Sequence, residues 1–172
     1  MLIGCPRERE GAAISEVRYF IGDLLGDENL QVNRTRIIGL ITCKTTLDPF
    51  EVVKSLKEMA IENPYQFRFA IRFTPLERCV NSDLEEIVNS VKELLDRIKE
   101  DETFRVTVRR RHTSLENMEV VSAIASVVDR KVDLDKPDKT VWIEIVGELT
   151  GISILDQEND ILSIMSMRDD MY

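Results

Sequence analysis

Apolar and polar positions alternate most cleanly along Thr103–Arg111. Phe104, Val106 and Val108 fall on one side of an extended chain, and Arg105, Arg109 and Arg111 on the other. That period of two predicts a strand with one face fit for a core. A second alternation sets Phe67, Phe69, Ile71 and Phe73 against Arg68, Ala70 and Arg72, and Thr74-Pro75 closes it. Leu2–Cys5, Arg36–Thr42, Val141–Ile145 and Gly151–Ile154 read as further strands. Between them the apolar spacing changes to three and four. Ile14, Val17, Ile21, Leu24 and Leu25 predict a helix over Ala12–Leu25, stopped by Gly26-Asp27. Asp48-Pro49-Phe50-Glu51 opens a second, which carries Val52, Val53, Leu56, Met59 and Ala60 and must end near Asn63, ahead of Pro64. Ser82–Lys99 predicts an amphipathic helix with Ser82 and Glu85 placed for a capping box, and a further helix is expected over about Glu116–Arg130. Ile161–Met167 suggests a short helix before a polar tail.

Alternating strands and helices point to an α/β protein of the α+β kind, with a small βαβαβ unit at residues 1–64, a second α/β unit at 65–165 and a tail at 166–172. The second unit is expected to bury Phe104, Val106, Val108, Val141, Ile143 and Ile145 against the helices beginning at Ser82 and near Glu116. A chain of 172 residues, 43% hydrophobic and 32% charged, can supply cores of this size. No aliphatic run approaches the roughly 20 residues of a bilayer span, and Met1–Cys5 is too short for a signal peptide. Cys5, Cys43 and Cys79 are far apart and odd in number, so they are expected as small buried hydrophobes in a reducing cytoplasm.

The net charge of −9 argues against a simple nucleic-acid binder, but it is unevenly spread. Residues 1–63 carry −2, residues 64–112 carry +1 and residues 113–172 carry −8. The arginine strand therefore sits in the least acidic part, and any RNA binding must be local. Seven glycines never form GxGxxG, GxxxxGK[ST] or GxSxG, which removes the usual dinucleotide, phosphate-loop and hydrolase readings. One histidine, His112, leaves no His-rich metal site, and no metal or cofactor is expected. No catalytic centre is legible.

Two arginine rows remain: Arg68 with Arg72, and Arg105, Arg109 and Arg111 with Arg110 at the strand's exit. Guanidinium groups present planar, permanently charged donors suited to phosphate. If the two strands share a sheet, the rows merge into one patch. The same rows equally suit a solvated sheet face whose arginines pair acids on neighbouring helices. Trp142 reads as a half-buried core residue before it reads as a base-stacking platform.

The run Phe104-Arg-Val-Thr-Val-Arg-Arg-Arg-His112, the helix after it, Val132-Asp-Leu-Asp-Lys-Pro-Asp138, Val141-Trp-Ile-Glu-Ile145 and Gly151-Ile-Ser-Ile154 together resemble a THUMP domain, the RNA-binding module of several tRNA-modifying enzymes. Phe67–Glu77 resembles the segment leading into that domain in stand-alone THUMP proteins, which assist the N4-acetylation of cytidine in tRNA. The resemblance implies a ferredoxin-like first unit, no catalysis by this chain and binding to the acceptor end of tRNA. It also implies a cytidine acetyltransferase acting in trans. Arg68, Arg72, Arg105, Arg109, Arg110 and Arg111 would contact phosphates, and Arg7, Arg9 and Arg18 of the front unit would matter less. Two other classes compete: a small RNA-modifying enzyme with an unrecognised site, and a protein-interaction or ligand-binding regulatory domain whose arginines are fully paired to acids.

Overall fold

The structure, a computed structural model, describes residues 1–169. In chain order its elements are β1 (Leu2–Gly4), α1 (Glu10–Val17), β2 (Gln31–Arg34), β3 (Leu40–Lys44), α2 (Pro49–Glu62), β4 (Arg72–Thr74), β5 (Arg78–Asn81), α3 (Leu84–Glu93), β6 (Thr103–Arg111), α4 (Asn117–Ala125), β7 (Lys131–Val132), β8 (Lys139–Val146), β9 (Leu149–Leu155), α5 (Gln157–Asp160), β10 (Leu162–Ser163) and α6 (Ile164–Asp169). α1 continues as a π-helical segment over Arg18–Leu24. The chain is a mixed α+β protein. It divides into Met1–Pro75 with Glu158–Tyr172, and Leu76–Gln157. These boundaries differ from the expected 64/65 and 165/166. Residues 65–75 end in β4, which pairs with β1, and the chain returns after residue 157 to add β10 beside β4.

In the first unit the sheet runs β10-β4-β1-β3-β2, with every neighbouring pair antiparallel. Ile3 sits opposite Ile41 on one side and Phe73 on the other, so these side chains share a face. That face packs on Ala13, Val17, Phe20 and Ile21 from the first helix and on Val53 and Leu56 from α2. The Phe20 and Phe67 rings stack at 4.2 Å. α2 starts as expected: Asp48 accepts from the Phe50 and Glu51 amides at 2.8 and 3.1 Å, and Pro49 occupies the first turn.

Two expectations for this unit are corrected. Arg36–Thr42 is not one strand but the turn and return of a hairpin, with Gly39 at φ +80 and strand pairing resumed at Arg34 opposite Ile41. Phe67–Phe73 is a strand only from Arg72. The amides of Arg68, Phe69 and Ala70 donate to the Glu16 carboxylate at 2.7, 2.9 and 2.6 Å, so none of them is free for a sheet ladder. Phe67, Ala70 and Phe73 are the fully buried positions there, a spacing of three rather than two.

The second unit is built on a sheet of order β5-β9-β8-β6-β7, in which β6 runs parallel to both β8 and β7 while β9 is antiparallel to β8 and β5. β8 is central, and Thr140–Ile145 are buried without a break, as a strand covered on both faces requires. Phe104, Val141, Ile143, Ile145, Ile152 and Ile154 form the core with Ile87 and Val91 of α3 and Val120 and Ile124 of α4. Val106 and Val108 touch this core but are only half-buried, which corrects their expected full burial.

α3 is shorter than the predicted 82–99. Its N-cap is Asp83, which accepts from the Glu85 and Glu86 amides, while the Ser82 hydroxyl bonds that of Thr150 instead. A capping box does occur, at Glu116 and Glu119 of α4. α4 ends at Ala125 rather than near Arg130, and the predicted 161–167 helix is β10 followed by α6. Cys79 is exposed, against expectation, because β5 is a sheet edge; Cys5 and Cys43 are buried. Within the expected polar tail, 166–169 lie in α6, and 170–172 fall outside the described residues.

Candidate nucleic-acid interface

β6 is held in an eight-residue parallel register with β8, from Phe104 opposite Lys139 to Arg111 opposite Val146. The alternation read from sequence therefore holds. Phe104, Val106 and Val108 face the helices, and Arg105, Thr107, Arg109 and Arg111 share the other face with Trp142 and Glu144.

The arginines on that face are not equivalent. Arg105 is half-buried, its guanidinium donating to the Leu134 carbonyl at 3.2 Å and to the Gln157 side-chain oxygen, and its Nε is buried without a hydrogen-bond partner. Arg109 is exposed and lies over the Trp142 ring, 5.0 Å from its centroid. Arg111 donates to Glu144 at 2.8 Å, and the second oxygen of that carboxylate accepts from the Trp142 indole at 2.9 Å. Glu144 is only 3% exposed, so the two donors and the neighbouring Arg109 compensate a carboxylate that the fold has taken out of water. Arg110, on the opposite side of the strand, reaches Glu116 at the start of α4 at 3.1 Å across an exposed pair of little energetic weight.

Charge is polarised along β6. At its start the Thr103 amide and hydroxyl both donate to Asp138 at 2.8 Å and hold that carboxyl below its ordinary pKa range. The Lys136 and Asp135 amides do the same for Asp133. At its end stand Arg109, Arg110 and Arg111, followed by His112 at φ +54, which turns the chain sharply away. Beyond that turn a polar cleft of about 430 Å³ opens among Ser82, Asp83, His112, Thr113, Ser114 and Gly147.

Arg68 and Arg72 belong to the first unit and so do not share a sheet with β6. Arg68 is exposed, off any strand, with its guanidinium 5.9 Å from the Phe69 ring centre; Arg72 is half-buried on β4. Trp142 is fully buried and carries no surface for base stacking, so its expected half-burial is corrected too. Sequence reasoning missed Glu144. The signal was present: one carboxylate inside the aliphatic run Val141–Val146 has to find a cationic or hydrogen-bonding partner. Among the described residues no group of three or more His, Cys, Asp or Glu side chains is placed to hold a metal. No helix among them is long and apolar enough to cross a membrane.

Residues 81–155 match the THUMP domain family. The match lies within the second unit and covers less than half of the chain. The arginine strand and the buried Glu144 lie inside that match, and Arg68 and Arg72 lie outside it. Over 139 residues, 75% of this chain and 42% of the relative, the sequence is 22% identical to the THUMP domain-containing protein 1 homolog of Drosophila melanogaster. The chain spans less than half the length of the curated relatives it matches. A crystal structure from Pyrococcus horikoshii superposes with TM-score 0.67 at 19% identity, covering 94% of this chain and 54% of that one. A 4-thiouridine synthetase solved with RNA and bound ATP superposes with TM-score 0.58 at 17% identity, covering 94% of this chain and 41% of that one. Similarity at these identities establishes a shared fold.

Proposed function

We propose that this chain is a non-catalytic tRNA-binding adaptor, which presents the acceptor end of tRNA to a modifying enzyme acting in trans, a cytidine N4-acetyltransferase. The observation that carries the reading is the THUMP match itself, with three consecutive arginines at the exit of its parallel strand. The fold shared with a synthetase crystallised with RNA supports RNA as the ligand class. Recognition is by phosphates and shape, with Arg109 leading, Arg110 and Arg111 beside it, and Arg68 and Arg72 as contacts from the first unit. The first unit is read as ferredoxin-like. Its β1-α1-β2-β3-α2-β4 order and its β4-β1-β3-β2 strand arrangement support that. Free cysteines at three separate positions fit action in the reducing cytoplasm.

The regulatory-domain reading has one observation in its favour, the pairing of Arg110 with Glu116 and Arg111 with Glu144. It required every arginine of the strand to be paired to an acid. Arg105 is bound by neutral oxygens and Arg109 rests on an aromatic ring, so the requirement is not met.

Titration of the protein with tRNA at several salt concentrations tests the binding half: affinity is expected to fall steeply with salt as condensed counterions are released. Incubation with tRNA and acetyl or methyl donors tests the other half. Nucleoside composition by mass spectrometry should stay unchanged until a separate enzyme is added. A new modified nucleoside made by this chain alone overturns the adaptor.

A further inference from the structure

The arginines of β6 are each engaged by the fold, whereas a second group, at one end of the first unit, is not. The loop between β1 and α1 carries Arg7 and Arg9, and the β2–β3 hairpin carries Arg34 and Arg36; all four are exposed. None makes a salt bridge among the described residues. The two segments are laced together. The Cys5 amide donates to the Gly39 carbonyl at 2.9 Å, and the Gly39 amide donates to the Glu10 carboxylate at 2.7 Å. Arg34 reaches the first turn of α1, its terminal nitrogen 2.9 Å from where a Cβ on Gly11 would stand. The hairpin tip is itself braced. The Thr35 hydroxyl donates towards the Ile37 and Leu40 carbonyls at 3.0 and 2.9 Å and accepts from the Ile37 amide at 3.0 Å.

We propose that Arg7, Arg9, Arg34 and Arg36 form a second binding site for the RNA phosphate backbone, separate from the β6 arginines. Four exposed guanidinium side chains stand on two mutually hydrogen-bonded segments whose carboxylates are Glu8 and Glu10. Glu10 accepts from the Gly39 amide and, more weakly, feels the Arg34 charge, without a salt bridge between them. Pre-organised segments lose little conformational freedom when a ligand arrives, and unpaired guanidinium groups need no ion pair broken first. Ile38, 69% exposed on the same turn, adds an apolar contact for a ribose. This site reverses the expectation that Arg7 and Arg9 matter least. It rests on the reading of the chain as an RNA binder and extends it to the first unit.

The test is a tRNA titration of the full chain against its R7A/R9A/R34A/R36A variant, over about 50 to 200 mM salt. Each phosphate contact contributes roughly 0.9 to the slope of log affinity against log salt. The variant is expected to bind about tenfold or more weaker, with the slope flattened by about 3.6. R7A/R9A and R34A/R36A each remove about half of that change, and serve as the test should the quadruple variant melt early. Wild type that binds tRNA, with variants matching it in affinity and slope, overturns the site and leaves the adaptor reading intact. Variants that lose binding to polyglutamate or phosphatidylserine vesicles but keep wild-type tRNA affinity also overturn it, in favour of a protein or lipid partner. Wild type that fails to bind tRNA at all removes the adaptor reading, and this site with it.

Discussion

The two ends of β6 are written in the same alternating code and do different work. At the start, Thr103 is tied to Asp138, and Arg105 is spent on the Leu134 carbonyl and Gln157. At the end, Arg109 lies open on a tryptophan face and Arg111 leans on a buried glutamate. One arginine therefore closes the fold, the one four residues on faces solvent, and the one six residues on is half-buried against its glutamate. The difference is set by what the register places beside each residue, and not by residue type or spacing.

Both ends hang on β8, so the largest effect should come from the scaffold between them. Ile143 is fully buried opposite the half-buried Val108, and an aspartate there leaves a carboxylate without a partner in the core. Ile143→Asp is expected to cost about 4 kcal/mol or more, enough to unfold the second unit, while Val106→Asp costs less than half of that. Urea unfolding followed by circular dichroism ranks the two. Equal losses would mean that β6 is as deeply buried as β8.

Glu144 comes next, because it supports only the basic end. Glu144→Gln keeps the shape but removes the charge that faces Arg111 and Arg109. It should cost about 1–3 kcal/mol, less than a fully buried pair, since the Arg111 side chain is 27% exposed. Freed from its partner, Arg111 is expected to tighten tRNA binding and steepen the salt dependence, so stability and affinity move in opposite directions. If both fall together, Glu144 orients the arginine for its ligand and does not hold it back.

A smaller pair of substitutions separates the ends directly. Arg109→Ala should weaken tRNA binding about tenfold and flatten the salt slope by about 0.9, with melting little changed. Arg105→Ala should do the reverse, lowering stability by about 1–2 kcal/mol through the oxygens it leaves unpaired. The comparison breaks if Arg105→Ala costs as much binding as Arg109→Ala.

Much of this fold was legible because strand alternation and helix spacing are local. β6 declares itself by its period of two, and α2 by its Asp48-Pro49 start. What escaped was set by residues far away in the chain. The Phe67–Ile71 alternation looked like strand, but Glu16, more than fifty positions earlier, holds its amides. Ser82 looked like a cap until Thr150 took its hydroxyl and Asp83 served in its place. The arginine row was visible too, whereas its inequality depends on Trp142, Glu144 and Gln157, which only the register brings alongside. The edge strands β5, β7 and β10 are two to four residues long, too short for a period to declare itself.

The smallest effect belongs to the acidic start of β6 and shows itself through pH. The Thr103 amide, then its hydroxyl, stabilise the charged form of Asp138 and lower its pKa in the folded protein. A depressed carboxyl pKa contributes stability that is fully present above the unfolded value, near 3.9, and is lost as pH falls through the lower folded value. Stability should therefore be flat from neutral pH down to about 4 and decline below it, with Asp138 supplying part of the decline. Asp138→Asn should lower stability slightly at neutral pH and make the acid limb shallower, because the titrating group has gone. Melting temperatures from pH 7 to pH 2.5 measure this. The substitution acts at the start of the strand, so tRNA affinity at neutral pH should not weaken. An acid limb as steep in the variant as in the wild type would place the titration elsewhere, at Asp133 or at the nearly buried Asp27. In Asp27 the Thr45 and Thr46 hydroxyls and the Thr46 and Asn29 amides outweigh the upward pull of burial.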